Sequence, residues 1–177
     1  MRNSIHEAAT NAFGTARWYE SGRGILKRDE IKKVDKAKND LTREGKQPDP
    51  GRVVAALTFG FWAKGLFKTC YEVSIWHRII NNVFPGVPRS QRTRRNIATE
   101  LDALWNLRNR VFHHEPIWHF PDLDVKHAKI IDMINRINPP MLHLVSICDN
   151  FPDIYSRCPA YHVTLMENKL DEIGLSV

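Results

Sequence analysis

The apolar positions of this chain recur at three- and four-residue spacing almost throughout, and no stretch alternates convincingly in the manner of a half-buried strand. Residues 3–17 are Ala-rich and predict a short helix, and Trp18 to Gly24, carrying Gly22 and Gly24, predicts a turn. Over residues 25–44, Ile31, Val34, Ala37, Lys38 and Leu41 make a thin apolar stripe on a heavily charged helix, whose lysine run reads as a solvated face. Gly45 to Gly51 is a stop-and-restart loop. Asp49 suits the N-cap there, and Pro50 the first helical position, where a backbone N–H would lack a partner anyway. Val53 to Phe67 is apolar nearly all round, which predicts a central buried helix; Gly60 and Gly65 inside it mark close approach of a neighbour.

Cys70 to Phe84 continues with Tyr71, Ile75, Ile79 and Val83 at helical spacing, and Phe84-Pro-Gly-Val-Pro is a loop. Residues 90–113 form the longest patterned helix, with Ser90 as its expected N-cap and Pro116 blocking its extension. Residues 124–137 place Ile130, Ile134 and Ile137 on one face. Asn138-Pro139-Pro140 opens another helix with Met141, Val145 and Cys148 in register; residues 151–159 read as irregular and 161–173 as a short last helix. The pattern predicts an all-α bundle of five or six helices, with residues 1–48 as a charged helical segment packing on the core of a helical domain over residues 49–177, the two making one structural unit.

Composition narrows this picture. With 177 residues, 42% hydrophobic and 26% charged, the chain suits one packed domain and not a disordered or fibrous one. Its longest uncharged apolar run, Val53 to Ala63, is well short of the roughly 20 residues a spanning helix needs. The start has no apolar stretch of signal-peptide length, and Cys70, Cys148 and Cys158 form no C-x-x-C pair. A soluble, cytoplasmic protein with reduced thiols, and no membrane partner, is the expectation. The net charge of +6 is uneven: 15 basic and 9 acidic residues over 1–88, 6 and 2 over 89–110, 5 and 9 over 111–177. A basic front and an acidic rear invite a polyanionic partner.

One residue breaks the pattern of the helix over 90–113. At about 100° per residue, and with Arg108 at zero, Ile97, Leu101, Leu104 and Phe112 all fall within about 40° of it. Arg108 thus occupies the middle of an apolar stripe. An unpaired buried guanidinium costs several kcal/mol, so Arg108 needs either an ion-pair partner or a place where the stripe meets solvent. Asn109 and His113 are four residues apart and share a helix face, so a guanidinium, an amide and an imidazole gather near one helix end. Arg110, His114, Glu115 and His119 follow or interleave, and Arg89, Arg92, Arg94 and Arg95 lie upstream.

A phosphodiester site can use this set without a metal or other cofactor. An imidazole exchanges a proton near neutral pH, and a guanidinium neutralises charge on a pentavalent phosphorus through paired hydrogen bonds. With RNA the nucleophile is the substrate's own 2′-hydroxyl. A zinc site is disfavoured, since His114-Glu115 followed by His119 has one residue too many for H-E-x-x-H, and Pro116 breaks the helix that pattern needs. His114 and Glu115 read as capping or electrostatic tuning of the helix end. His77, His127, His143 and His162 are isolated. Arg89, Arg92, Arg94 and Arg95 read either as a solvated cap or as RNA backbone contacts. Phe59, Phe61, Trp62, Phe67, Trp76 and Trp105 fall on core positions, while Trp118 and His119, in a loop beside the motif, can stack an unpaired base.

Arg108-Asn109-Arg110-Val111-Phe112-His113 resembles the R-N-x-x-x-H motif of HEPN domains, which are α-helical and often metal-independent ribonucleases. The longer string Leu107-Arg-Asn-Arg-Val-Phe-His-His-Glu-Pro-Ile117 is similar to the signature of the Abi-like (abortive infection) family within that group, and the block Pro50 to Trp62 with Phe84-Pro85 resembles the same family's upstream segment. The resemblance covers about residues 25–120. It implies a HEPN-like bundle acting as a homodimer, with RNA held in a cleft between two motif helices. It further implies Arg108 and His113 as the catalytic pair, Asn109 as the residue that positions them, and products ending in a 2′,3′-cyclic phosphate and a 5′-hydroxyl. It associates the chain with phage defence and toxin–antitoxin behaviour, and so with a cognate antitoxin or inhibitor protein. The other reading the sequence admits is a HEPN module that binds RNA or protein without cleaving, or the neutralising partner of a toxin. Position 112 departs from the family pattern, holding Phe where a small residue such as Ala is expected.

Overall fold

Ile5, Ala8 and Ala9 share one face of the first helix, α1 (Arg2–Phe13), and all three are buried. Gly14 ends that helix at a φ of 69°, a left-handed conformation that costs glycine little. In this computed structural model, which describes residues 1–117, 120–157 and 160–174, the remaining regular structure is also helical, and no strand occurs among the described residues. The all-α class read from the sequence is the one observed. The helices are more numerous than five or six, because several short ones stand where the pattern suggested one long helix or none.

The second helix, α2 (Arg28–Arg43), buries Val34, Ala37 and Leu41 and turns Lys32, Lys33 and Lys36 outward. Its fourth buried residue, Glu30, was not foreseen. The Tyr71 hydroxyl and Lys68 Nζ each donate to its carboxylate at 2.8 Å, and the Lys27 backbone N–H donates to the Tyr71 hydroxyl at 2.8 Å. Burial, with the Glu30 charge beside it, pushes the Tyr71 hydroxyl pKa up, and the bond to Glu30 raises that of Lys68.

α3 (Pro50–Ala56) starts as predicted, the Asp49 carboxylate accepting from the Arg52 N–H at 3.1 Å. The single buried helix expected over Val53–Phe67 is instead divided. Leu57 takes an extended conformation, and two π-helical turns (Phe61–Gly65 and Glu72–Trp76) lead into α4 (His77–Val83). The segment is not buried throughout, since Ala55, Ala56, Thr58 and Lys64 are exposed, and neighbours enter it through its glycines. A Cβ on Gly60 would lie 2.8 Å from the Trp105 ring, and one on Gly65 would lie 3.3 Å from the Glu30 carboxylate.

The long helix, α5 (Arg94–Phe112), begins three residues later than Ser90 would have it, because Thr93 is the cap that accepts from the Asn96 N–H at 3.2 Å. It is followed by α6 (Leu123–Ile137), α7 (Pro139–Cys148), α8 (Phe151–Arg157) and α9 (Ala160–Glu172). Residues 151–157 were expected to be irregular but are helical; the Asp149 carboxylate accepts from the Phe151 N–H at 3.1 Å, and Pro152 fits a first turn.

One aromatic-rich core joins α1 through α6. Trp18, Phe61, Trp62, Phe67, Trp76 and Phe84 are all buried, with the Phe67 and Trp76 rings 4.1 Å apart. Residues 1–48 contribute Ile5, Trp18, Val34 and Leu41 to this core. The last contributions come from Leu101 and, in α6, Met133. No helix among the described residues is long and apolar enough to cross a membrane.

Candidate functional site at the C-terminal end of α5

The apolar stripe of α5 is buried at Ile97 and Leu101 and comes to the surface in the last turn, where Val111 is 46% and Phe112 64% exposed. Arg108 sits at the crossing, half-buried. No carboxylate pairs with it among the described residues. Its Nη1 donates to the Asn109 side-chain oxygen at 3.3 Å, and its guanidinium carbon lies 3.7 Å from the centre of the Phe112 ring and 5.9 Å from that of Phe59. Phe59 in turn stacks on Trp105, centres 5.7 Å apart and planes within 11°. Of the two environments open to Arg108, the structure shows the one at the margin of the stripe, with aromatic faces in place of an ion pair.

His113 closes the helix, its N–H bonded to the Asn109 carbonyl at 2.9 Å and its imidazole exposed. His114 has a φ of 56°, and among the described residues it is the one non-glycine with a positive φ. The His114 N–H donates to Val111 O at 3.1 Å and the Glu115 N–H to Arg110 O at 2.9 Å, the paired bonds of a Schellman cap with histidine where glycine is usual. Arg110 and Glu115 approach to 3.6 Å across the same cap, and the Arg110 guanidinium also lies 5.1 Å from the Phe120 ring centre. The motif residues are therefore held by a defined helix end. Asn109 links the set, bonded to Arg108 through its side chain and to His113 through its backbone.

The four upstream arginines do not act together. Arg94 is buried, paired with Glu72 and bonded to the Phe67 carbonyl. Arg92 clamps the loop before α5, donating from Nε to Val87 O at 2.8 Å and from Nη2 to Pro85 O at 3.0 Å. Both guanidiniums make hydrogen bonds within the fold. Arg89 and Arg95 are exposed. Trp118 and His119 lie outside the described residues, as does Cys158, while Cys70 and Cys148 are free and exposed. Among the described residues no three His, Cys, Asp or Glu side chains converge as a metal-ligand set.

Sequence reasoning missed the role of Phe59 and Phe112 beside Arg108. The helical angle placed Phe112 within the buried stripe, and only the loss of neighbours at the end of α5 brings it to the surface. Compared with known proteins, the chain matches no family model, no curated protein and no solved structure.

Proposed function

We propose that this chain is a metal-independent endoribonuclease of the phage-defence or toxin type, with Arg108, Asn109 and His113 at its site. The observation that carries the reading is Arg108: a half-buried guanidinium with no carboxylate partner among the described residues, tied through Asn109 to the turn that bears an exposed imidazole. A cation left unneutralised at such a place is suited to a phosphate. In the reaction, the His113 imidazole takes the proton of a 2′-hydroxyl as that oxygen attacks the adjacent phosphorus. Arg108 stabilises the charge that builds on the phosphoryl oxygens, and the bond from phosphorus to the 5′-oxygen breaks as that oxygen takes a proton from water. The products are a 2′,3′-cyclic phosphate and a 5′-hydroxyl.

Along one helix, Arg108 and His113 are about 140° apart around the axis. A site shared between two copies of α5, one supplying the guanidinium and the other the imidazole, brings the two groups to one phosphate. This geometry supports the homodimer that the motif implies.

The test compares the wild type with Arg108→Ala and His113→Ala on single-stranded RNA in EDTA, with end-group analysis of the products. The expected outcome is cleavage by the wild type to cyclic-phosphate ends, reduced at least about a hundredfold by either substitution. Binding without cleavage returns the chain to the non-catalytic module. Cleavage lost on adding EDTA removes the metal-independent mechanism. Expression in a host adds a second readout: a ribonuclease slows growth and an antidote does not.

A further inference from the structure

We infer that Phe112, backed by Arg108, is a stacking platform for an unpaired nucleobase beside the phosphate that Arg108 engages. This rests on the reading of the α5 end as an RNA site and deepens it, naming single-stranded RNA as the class bound. The ring is 64% exposed, and it is the outermost member of a series in which each planar group meets the next. Trp105 stacks on Phe59 at 5.7 Å, the Arg108 guanidinium lies 5.9 Å from Phe59, and the same guanidinium lies 3.7 Å from Phe112. The series runs from partly buried groups to an open one. Gly60, whose Cβ would meet the Trp105 ring at 2.8 Å, leaves room for its inner end.

Two features choose the occupant. The guanidinium is part of the stack, and an apolar protein face laid over it would bury a cation without a counter-ion, at several kcal/mol. A nucleotide covers the ring with its base and brings its own phosphate to the cation. Within a duplex the base faces are already stacked, so only an unpaired base offers one to Phe112.

The test measures binding in EDTA with 2′-O-methyl oligonucleotides, which lack the attacking hydroxyl and are not cleaved. Wild type, Phe112→Ala and Phe112→Trp are compared on a single strand, on its duplex, and on single strands with one abasic site moved along the sequence. Phe112→Ala is expected to lose at least about fivefold in affinity for the single strand and little for the duplex. Phe112→Trp should retain single-strand affinity. One abasic position should weaken the wild type and leave Phe112→Ala unaffected. Equal single-strand affinity for wild type and Phe112→Ala overturns the proposal, as does an abasic penalty that persists in that variant. A fall in light-scattering mass on Phe112→Ala also overturns it, by making the ring a subunit contact. Stacking behaviour without cleavage of natural RNA retires the nuclease and keeps the platform; cleavage indifferent to residue 112 does the reverse.

Discussion

The two ends of this chain carry the same helical periodicity but use it differently. Up to Leu107 the apolar faces close on one another around buried Trp18, Trp62 and Trp76. Beyond it, only Leu123 and Met133 are buried among the described residues, while Leu144, Ile147, Ile154 and Met166 stand exposed on α7, α8 and α9. Charge divides along the same line, net positive through residue 110 and net negative from 111 onward. An amphipathic pattern thus marks a helix but does not say whether its apolar face meets a partner. α5 crosses from one regime to the other, and Arg108 sits where it crosses.

Deleting one large side chain in each region separates the two regimes. Trp76 is 1% exposed, its indole N–H donates to Leu66 O at 2.7 Å, and it packs on Phe67 and Phe84. Trp76→Ala should cost about 3–5 kcal/mol in denaturant unfolding. Ile147, 78% exposed on α7, should cost less than about 0.5 kcal/mol when changed to Ala. A large loss at Ile147 would mean that its apolar face is covered in solution.

The joint between the two regions is the next place to press. The Gly86 N–H donates to the Arg136 carbonyl at 3.0 Å, and a Cβ on Gly86 would lie 2.8 Å from the Asn135 carbonyl oxygen and 2.9 Å from the Arg136 Cα. Those are backbone atoms of α6 and cannot swing aside. Gly86→Ala should destabilise by about 1–3 kcal/mol and loosen α6 from the loop before α5, read as faster amide exchange in α6. The same change at Gly51, where a Cβ would meet only the Asp49 carboxylate at 3.4 Å, is the control and should be nearly neutral.

Local signals carried much of this architecture. The Asp49-Pro50 start of α3 and the stripe of α2 each depend on residues a few positions apart, whereas the end of α1 at Gly14, inside the helix read over 3–17, was missed. What pattern could not supply depends on distant partners. Glu30 is buried because Lys68 and Tyr71 come to it across 38 and 41 residues, and Arg94 leaves the surface because Glu72 and the Phe67 carbonyl claim it. The site divides in the same way. Arg108 was visible as a cation inside an apolar stripe, whereas its stacking on Phe59, 49 positions earlier, required the fold.

The cap of α5 offers a smaller test. His114 holds a left-handed φ of 56° in which a Cβ is unfavourable and glycine is not. His114→Gly should stabilise the chain by up to about 1 kcal/mol while keeping the two cap hydrogen bonds. If RNA cleavage falls although stability rises, the imidazole contributes to the site beyond closing the helix.

The smallest effect is a drift with pH that belongs to the packed side. His6 lies on α1 and accepts a hydrogen bond from the Trp18 indole N–H at 3.2 Å through Nδ1, and burial lowers its pKa below the ordinary value of 6.5. Protonation would both charge a partly buried ring and place a proton on the atom that accepts. The unfolded chain therefore binds this proton more readily than the folded one, so stability is fully present above about pH 6.5 and is lost as the pH falls through the lowered value. Melting temperatures taken from about pH 7.5 down to 5 should decline for the wild type over that window. The His6→Gln variant keeps an acceptor for Trp18 but does not titrate, and its profile should be flat there. Parallel declines in the two proteins would place the sensitivity elsewhere and remove His6 from the account.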